Sequence, residues 1–225
     1  MLKWRDRNMS AVQRLIDGFL EFRETSLERS PDYFEALAAV QQPSVMCIAC
    51  CDSRVGPSLL TRAPAGEIFV VRNIANLVPP FAEAQTRHGT SAALQYAVQH
   101  LRVENIIVLG HSQCGGIRGL LEMDLSDREG PLYVKHWVRQ AEPAKTRTLA
   151  ALGDRPIEEQ ARFCEQESIK QSLANLVTYP WVHDAVGTGA LTLHGWYFDI
   201  RACALHRFDR AADTFVQCAP APGAG

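Results

Sequence analysis

Three short apolar segments limit what this chain can fold into. Residues 45–50 (VMCIAC), 67–72 (EIFVVR) and 105–110 (NIIVLG) each contain an uninterrupted apolar run that stops at polar or charged residues. Runs of this length without alternation are typical of strands buried on both faces in a parallel sheet. Residues 90–101 lie between the second and third segments and predict a helix, as in a β–α–β unit. The sequence therefore predicts an α/β fold with a mostly parallel central sheet flanked by helices.

The regions on either side of these segments predict further elements. After a candidate helix cap at Ser10, apolar residues recur on one helical face at Val12, Leu15, Ile16, Phe19 and Leu20. We interpret this helix as an N-terminal arm whose apolar face packs on a partner. The second half predicts a helix after Pro156, a strand from Ala190 and a final hairpin. The apolar face of that helix contains Ile169, Leu173, Leu176 and Val177.

Length and charge limit the class of protein. The chain has 225 residues, 47% of them hydrophobic, which is enough for the core of one domain. We assign this domain to residues 9–217, with an extension at 1–8 and a flexible tail at 218–225. The 23 basic residues are scattered among 25 acidic ones, so nucleic acid and anionic membranes are not expected partners. Without a bilayer-length apolar run or a secretory signal, we expect a cytoplasmic protein that acts on a small molecule.

Residue types that bind metals follow two of the predicted strands. Cys50 ends the first apolar segment, and His111 and Cys114 follow the third. The carboxyl ends of parallel strands meet at one edge of a sheet, where ligands bind. Zinc prefers thiolate and imidazole, and three protein ligands leave a fourth position for water in catalytic sites. Because single cysteines are common in cores and His-x-x-Cys alone is a weak pattern, a structural role for these residues stays open at this point.

Three motifs together resemble those of the β-class carbonic anhydrases, in particular the plant-type branch. They are Ala-Cys-x-Asp-Ser-Arg at 49–54, Phe-Val-x-Arg-Asn-x-Ala-Asn at 69–76 and Gly-His-Ser-x-Cys-Gly-Gly at 110–116. The similarity runs from about Met9 to Phe215. It implies the fold of that family and reversible hydration of carbon dioxide by a zinc-bound hydroxide. The zinc ion, one per chain, would be bound by Cys50, His111 and Cys114.

The resemblance also implies roles for the residues around the metal. Arg54 would hold the Asp52 carboxylate away from zinc, so that Asp52 accepts a hydrogen bond from the zinc-bound water. The substrate pocket would be lined by Gln41, Phe69, Ile74, Tyr96 and Gly115. Part of this wall comes from a neighbouring subunit in the plant-type branch, so we expect a homodimer or a higher homo-oligomer with shared active sites.

Three further residues each carry one expectation. His100 stands at a position proposed for proton transfer in plant-type relatives, although a histidine that caps a helix is an alternative. A second branch of the family has a tryptophan where this chain has Cys47, which predicts that the inhibitory bicarbonate pocket of that branch is absent. Cys51 replaces a small polar residue of the family. Because neighbouring strand residues point to opposite faces, Cys51 should point away from the metal and be sensitive to oxidation.

Two alternative functions remain open. The same fold could hydrolyse carbonyl sulfide or carbon disulfide, which are linear molecules like carbon dioxide. A non-catalytic zinc-binding protein would instead complete the tetrahedron permanently with Cys51 or Asp52. The Asp52/Arg54 pair favours a catalytic site, because a structural zinc site needs no group that keeps its fourth position open.

Overall fold

The N-terminal region is helical, as the sequence predicts. The computed structural model describes residues 9–29, 32–83, 88–125 and 132–218, and the chain divides into two units between Gln41 and Gln42. The first unit contains α1 (Ala11–Arg29) and α2 (Tyr33–Ala39). The Oγ of Ser10 accepts a hydrogen bond from the Gln13 N–H at 3.1 Å, which confirms the predicted cap of α1. Helix α2 has no counterpart among the predicted elements.

The second unit is built around a six-stranded sheet. Its strands are β1 (Val45–Cys50), β2 (Ile68–Asn73), β3 (Asn105–His111), β4 (Thr192–Asp199), β5 (Ala204–Asp209) and β6 (Thr214–Gln217). Their order across the sheet is β2-β1-β3-β4-β5-β6. The first four are parallel, whereas β5 pairs antiparallel with both β4 and β6. The mostly parallel α/β fold and the final hairpin are therefore confirmed.

Helices connect the parallel strands. They are α3 (Pro57–Thr61), α4 (Gly89–Gln95), α5 (Gly115–Glu122), α6 (Leu132–Val138), α7 (Glu142–Leu152), α8 (Ile157–Leu176) and α9 (Pro180–Gly187). Helix α8 contacts β3 and β4, and its buried face includes Ile169, Leu173 and Leu176. The prediction for Val177 is wrong: α8 ends at Leu176, so Val177 leaves the helical periodicity and is partly exposed.

Strand β1 is buried on both faces because its side chains alternate between two apolar clusters. Met46 and Ile48 belong to the cluster that contains Ile106, Val108, Ile169 and Leu173. Cys47 and Ala49 belong to the other, with Val55, Ile107, Leu109 and Phe198. This two-sided burial is what an uninterrupted apolar strand requires, and it places β1 in the interior of the sheet.

Some predicted boundaries differ from the observed ones. The helix expected over 90–101 is α4 followed by a π-helical turn, Tyr96–Leu101, which ends where Arg102 takes a left-handed conformation (φ 55°). Strand β4 begins at Thr192, two residues after the predicted start at Ala190. None of the helices in the described ranges is long and apolar enough to span a bilayer.

The register of the sheet brings two strand ends together. Cys50, the last residue of β1, pairs with Asn73 at the end of β2. Ala49 pairs with Leu109, so β3 extends two residues further to His111 at the same edge. The residues that follow β1 and β3 therefore lie beside each other at the carboxyl edge of the sheet, as expected for a ligand site in this fold class.

Candidate metal centre and active site

Three potential metal ligands converge at this edge. Cys50 comes from the end of β1, His111 from the end of β3, and Cys114 from the residue before α5. Their ligand atoms all lie within 4.8 Å of one another, and all three residues are buried. The two sulfurs are 4.0 Å apart. Two thiolates on one tetrahedral zinc would stand roughly 3.8 Å apart, given Zn–S bonds of about 2.3 Å. The donor set therefore fits a zinc ion.

The His111 ring is oriented for metal binding. Its Nδ1 lies 2.9 Å from the Ser112 carbonyl oxygen, so Nδ1–H donates this hydrogen bond and the lone pair is left on Nε2. That Nε2 atom is buried and has no hydrogen-bond partner within the part of the chain that the structure describes. A buried imidazole nitrogen without a partner is costly, and a metal ion would satisfy it.

The two thiols share negative charge. The hydrogen bond from Cys114 lowers the pKa of Cys50, and the backbone N–H groups of Asp52 and Ala75 also lower it, whereas burial opposes this shift. The pKa of Cys114 is raised, because its proton is held by the Cys50 thiolate and because the site is buried. A divalent cation would replace this proton and compensate both thiolates.

Asp52 and Arg54 form a paired group at the entrance to the site. The guanidinium donates from Nε to Oδ1 at 2.9 Å and from Nη2 to Oδ2 at 2.7 Å, and the Arg54 backbone N–H also reaches Oδ1. This pairing holds the pKa of Asp52 well below its usual range. Its Oδ2 lies 4.0 Å from His111 Nε2. An ionised acceptor thus lies beside the candidate metal ligands.

Arg72 is a site residue for which the sequence predicted no role. From β2 its guanidinium donates to the carbonyl oxygens of Cys50 (2.8 Å), Asp52 (2.7 Å) and Val55 (3.0 Å). These three bonds fix the backbone that carries the first ligand and the carboxylate. Its only sequence signal is its place in the family-like motif at 69–76, because bonds to backbone oxygens leave no trace in residue type.

Two of the five predicted substrate residues lie next to the loop that carries His111 and Cys114. Ile74 follows β2, and its Cγ2 would stand 2.7 Å from a Cβ added at Gly116, which explains why the chain has glycine there. Gly115 begins α5 and has open space beside it. Gln41 lies in the first unit, and the structure gives its position only within that unit.

Phe69 and Tyr96 lie away from the metal ligands of their own chain. Phe69 pairs with Met46, four residues before Cys50 on β1, so the two levels differ by about 13 Å along the strand. Tyr96 contacts Phe69, with ring centroids 6.0 Å apart, and its side chain is 43% exposed. His100 stacks on Tyr96 at 5.2 Å, on the last turn of the π-helical segment. These rings form one aromatic group next to the edge strand β2.

Cys51 and Cys47 lie in different environments. Cys51 follows the end of β1 and is exposed, whereas Cys50 is buried, as expected if the two side chains point in opposite directions. Cys47 is buried within the sheet, and burial raises its pKa to about 12. A thiol with such a pKa is protonated at neutral pH and packs as an apolar side chain.

Comparisons with known proteins agree with this site. A family profile described as "Carbonic anhydrase" matches residues 45–205. "Beta carbonic anhydrase 6, mitochondrial" from Arabidopsis thaliana is 42% identical over 195 residues, covering 87% of this chain and 67% of that protein. "Beta carbonic anhydrase 3" from the same plant is 40% identical over 195 residues, covering 85% of this chain and 74% of that protein.

Solved structures show the same fold. The β-carbonic anhydrase CcaA superposes with a TM-score of 0.86 at 36% identity, covering 92% of this chain and all of that one. A structure from a report on two tetrameric β-carbonic anhydrases of Sordaria macrospora gives a TM-score of 0.74 at 26% identity, covering 93% of this chain and 97% of that one. The chain therefore belongs to the β-class carbonic anhydrase family. Its similarity to the Arabidopsis proteins places it in the plant-type branch, and it is a carbonic anhydrase.

Proposed function

We propose that this enzyme catalyses the reversible hydration of carbon dioxide to bicarbonate and a proton, with one zinc ion bound by Cys50, His111 and Cys114. The observation that carries this proposal is the convergence of three soft ligand atoms within 4.8 Å beside an ionised carboxylate. When bound, zinc would supply a water nucleophile whose pKa is lowered toward about 7.

The protein groups around the metal have separate tasks in this proposal. Asp52 presents Oδ2 toward the open position, where it can accept a hydrogen bond and orient a lone pair toward carbon dioxide. Arg54 holds both carboxylate oxygens, so Asp52 stays ionised and does not occupy the open position itself. Ile74 supplies an apolar surface beside the ligand loop, as a linear nonpolar substrate requires.

We further propose a homo-oligomer whose active sites are completed by a neighbouring subunit. Strand register separates Phe69 from Cys50 by about 13 Å, and Tyr96 packs against Phe69, so we place both rings at the active site of a neighbouring subunit. Helix α1 has an exposed apolar face, with Leu15 76% and Phe19 57% accessible in the single chain. The tetrameric relatives from Sordaria macrospora support such an assembly.

The function is tested by stopped-flow carbon dioxide hydration with the zinc-loaded protein, the chelator-treated protein and Cys114→Ser. We expect activity in the first, loss in the other two, and recovery when zinc is returned to the chelator-treated protein. Turnover of carbonyl sulfide and carbon disulfide is measured in the same preparations. Activity that survives metal removal, faster turnover of either sulfur compound, or bound zinc without any turnover would contradict the proposal.

A further inference from the structure

The loop that carries two of the three metal ligands has an unfavourable backbone conformation. Gln113, between His111 and Cys114, has φ 60°, in the left-handed region that non-glycine residues rarely occupy. This turn reverses the chain after β3, so that His111 Nε2 and Cys114 Sγ face one point. A strained turn persists only where its surroundings hold it. The groups that bond to Gln113 and Cys114 therefore decide whether the ligands stay together.

Hydrogen bonds hold this loop from two sides. On the entrance side, Arg54 Nη2 donates to the Gln113 carbonyl oxygen at 3.1 Å. From α8, Glu165 Oε1 accepts a hydrogen bond from the Cys114 N–H at 2.9 Å, and the Gln113 N–H also interacts with this carboxylate. The carboxylate of Glu165 thus bonds to the backbone directly after the left-handed residue Gln113.

Glu165 is itself fixed in place. It lies on α8 and is 3% exposed. Its second oxygen, Oε2, accepts a hydrogen bond at 2.8 Å from the hydroxyl of Tyr197, which is completely buried on β4. A cavity of about 510 Å³ borders the loop on this side, and its wall includes Gln113, Cys114, Glu165 and Tyr197. Arg54 also lines this cavity, so beside this space the loop is held by hydrogen bonds to Arg54 and Glu165.

We propose that Glu165 is a positioning residue of the metal centre. Its buried carboxylate, oriented by Tyr197, binds the backbone N–H groups of the strained loop and keeps Cys114 aligned with His111 and Cys50. This role depends on the reach of the side chain, because the carboxylate must extend from α8 to the loop. The inference rests on the proposed zinc site.

Two substitutions at Glu165 separate the effect of side-chain length from the effect of charge. Glu165→Asp keeps the charge and removes one methylene, so the carboxylate no longer reaches the loop. Glu165→Gln keeps the reach, and its amide oxygen still accepts from Cys114. Glu167→Asp is the matched control: Glu167 is buried on the same helix, but it pairs with Arg147 and Lys170. Zinc affinity is measured by competition with a chelator, and cobalt(II) loading reports thiolate coordination through its charge-transfer absorption.

We expect Glu165→Asp to weaken zinc binding by about 10- to 100-fold, the usual effect of removing a partner of a metal ligand. The zinc affinities of Glu165→Gln and Glu167→Asp should stay within about threefold of the parent value. If Glu165→Asp binds zinc as tightly as the parent, the inference is overturned. It is also overturned if Glu165→Gln loses more zinc affinity than Glu165→Asp, because that result would indicate a role of charge. If the parent itself shows no thiolate bands with cobalt, the proposed zinc site fails instead.

A rescue experiment tests the link to the strained turn. Glycine adopts positive φ without the steric cost that glutamine has. Adding Gln113→Gly to Glu165→Asp should therefore restore part of the lost zinc affinity. The same substitution in the parent protein should raise zinc affinity less, or not at all. This comparison stays informative at any level of activity, because the readout is metal binding. Equal effects of Gln113→Gly in both backgrounds would show that Glu165 does not act through this turn.

Discussion

The carboxylate of Asp52 receives two side-chain hydrogen bonds from Arg54, at 2.9 Å and 2.7 Å, while its Oδ2 lies 4.0 Å from Nε2 of His111. The same guanidinium contacts the Gln113 carbonyl oxygen on the ligand loop. Arg54 therefore connects the two halves of the site, one that follows β1 and one that follows β3. Its loss should affect Asp52 first, because both oxygens of that carboxylate are held by it.

Asp52 and Arg54 should behave as one unit in turnover. Asp52→Asn and Arg54→Ala should each lower kcat on the order of 100-fold, because the orienting acceptor is lost or misplaced. The double variant should be little worse than the poorer single one, since Arg54 acts by fixing Asp52. Zinc content, measured in parallel, should stay near one ion per chain in Asp52→Asn. Additive losses would mean that the two residues work independently.

Substituting Cys50 and substituting its neighbour Cys51 should have different effects on zinc content and activity. Cys50→Ser should lose zinc and activity together, because one of three ligands is replaced by a poor one. Cys51→Ser should retain both, since this side chain is exposed while Cys50 is buried. Zinc is quantified by atomic absorption after gel filtration, and hydration is assayed on the same fractions. Loss of zinc from Cys51→Ser would assign the wrong cysteine to the metal.

Burial of Cys47 should make stability fall at alkaline pH. The thiol has a pKa of about 12 in the folded protein and about 8.5 when unfolded. Between these values the unfolded chain releases a proton that the folded chain keeps, so the free energy of unfolding decreases by about 1.4 kcal/mol per pH unit. Urea unfolding from pH 8 to 11 should therefore show a smaller decline for Cys47→Ala. Cys203→Ala, which removes an exposed thiol, is the control and should parallel the parent.

Shared active sites should allow two defective variants to complement each other. Tyr96→Ala should lower turnover about tenfold by removing a wall of the substrate pocket, and Asp52→Asn lowers it within the metal site. In a mixed oligomer, some sites combine an intact metal side from one chain with an intact wall from another. If subunits mix randomly as dimers, about one quarter of the sites recover. Unchanged activity after denaturation and joint refolding would place Tyr96 in the site of its own chain.

The convergence of the candidate metal ligands was predictable because residue type and strand position carry the information together. Cys50 and His111 end apolar strands whose parallel pairing follows from their composition, and this is enough to bring them together. Glu165 could not be found in this way, because it acts on a backbone N–H of Cys114, 51 residues away in sequence. The left-handed turn at Gln113 is equally hidden, since its residue type is ordinary.

Two predictions about helices were wrong because residue type and spacing did not contain the needed information. Helical periodicity predicted one helix over 90–101, but apolar spacing does not distinguish an α-helix from the π-helical turn at Tyr96–Leu101. Val177 fits the apolar face of α8 in sequence, yet the chain has already turned there. Several expectations stay predictions: proton transfer by His100, the cytoplasmic location, and the pocket roles of Gln41, Phe69, Ile74, Tyr96 and Gly115.

The coordination shell of the bound metal tests the account most directly. Zinc K-edge X-ray absorption of the active, zinc-loaded enzyme at neutral pH should show two sulfur ligands at about 2.3 Å and two nitrogen or oxygen ligands at about 2.0–2.1 Å. That shell corresponds to Cys50, Cys114, His111 and one exchangeable oxygen ligand. A shell with three sulfurs in the active enzyme, or full activity in protein that contains no zinc, would contradict it.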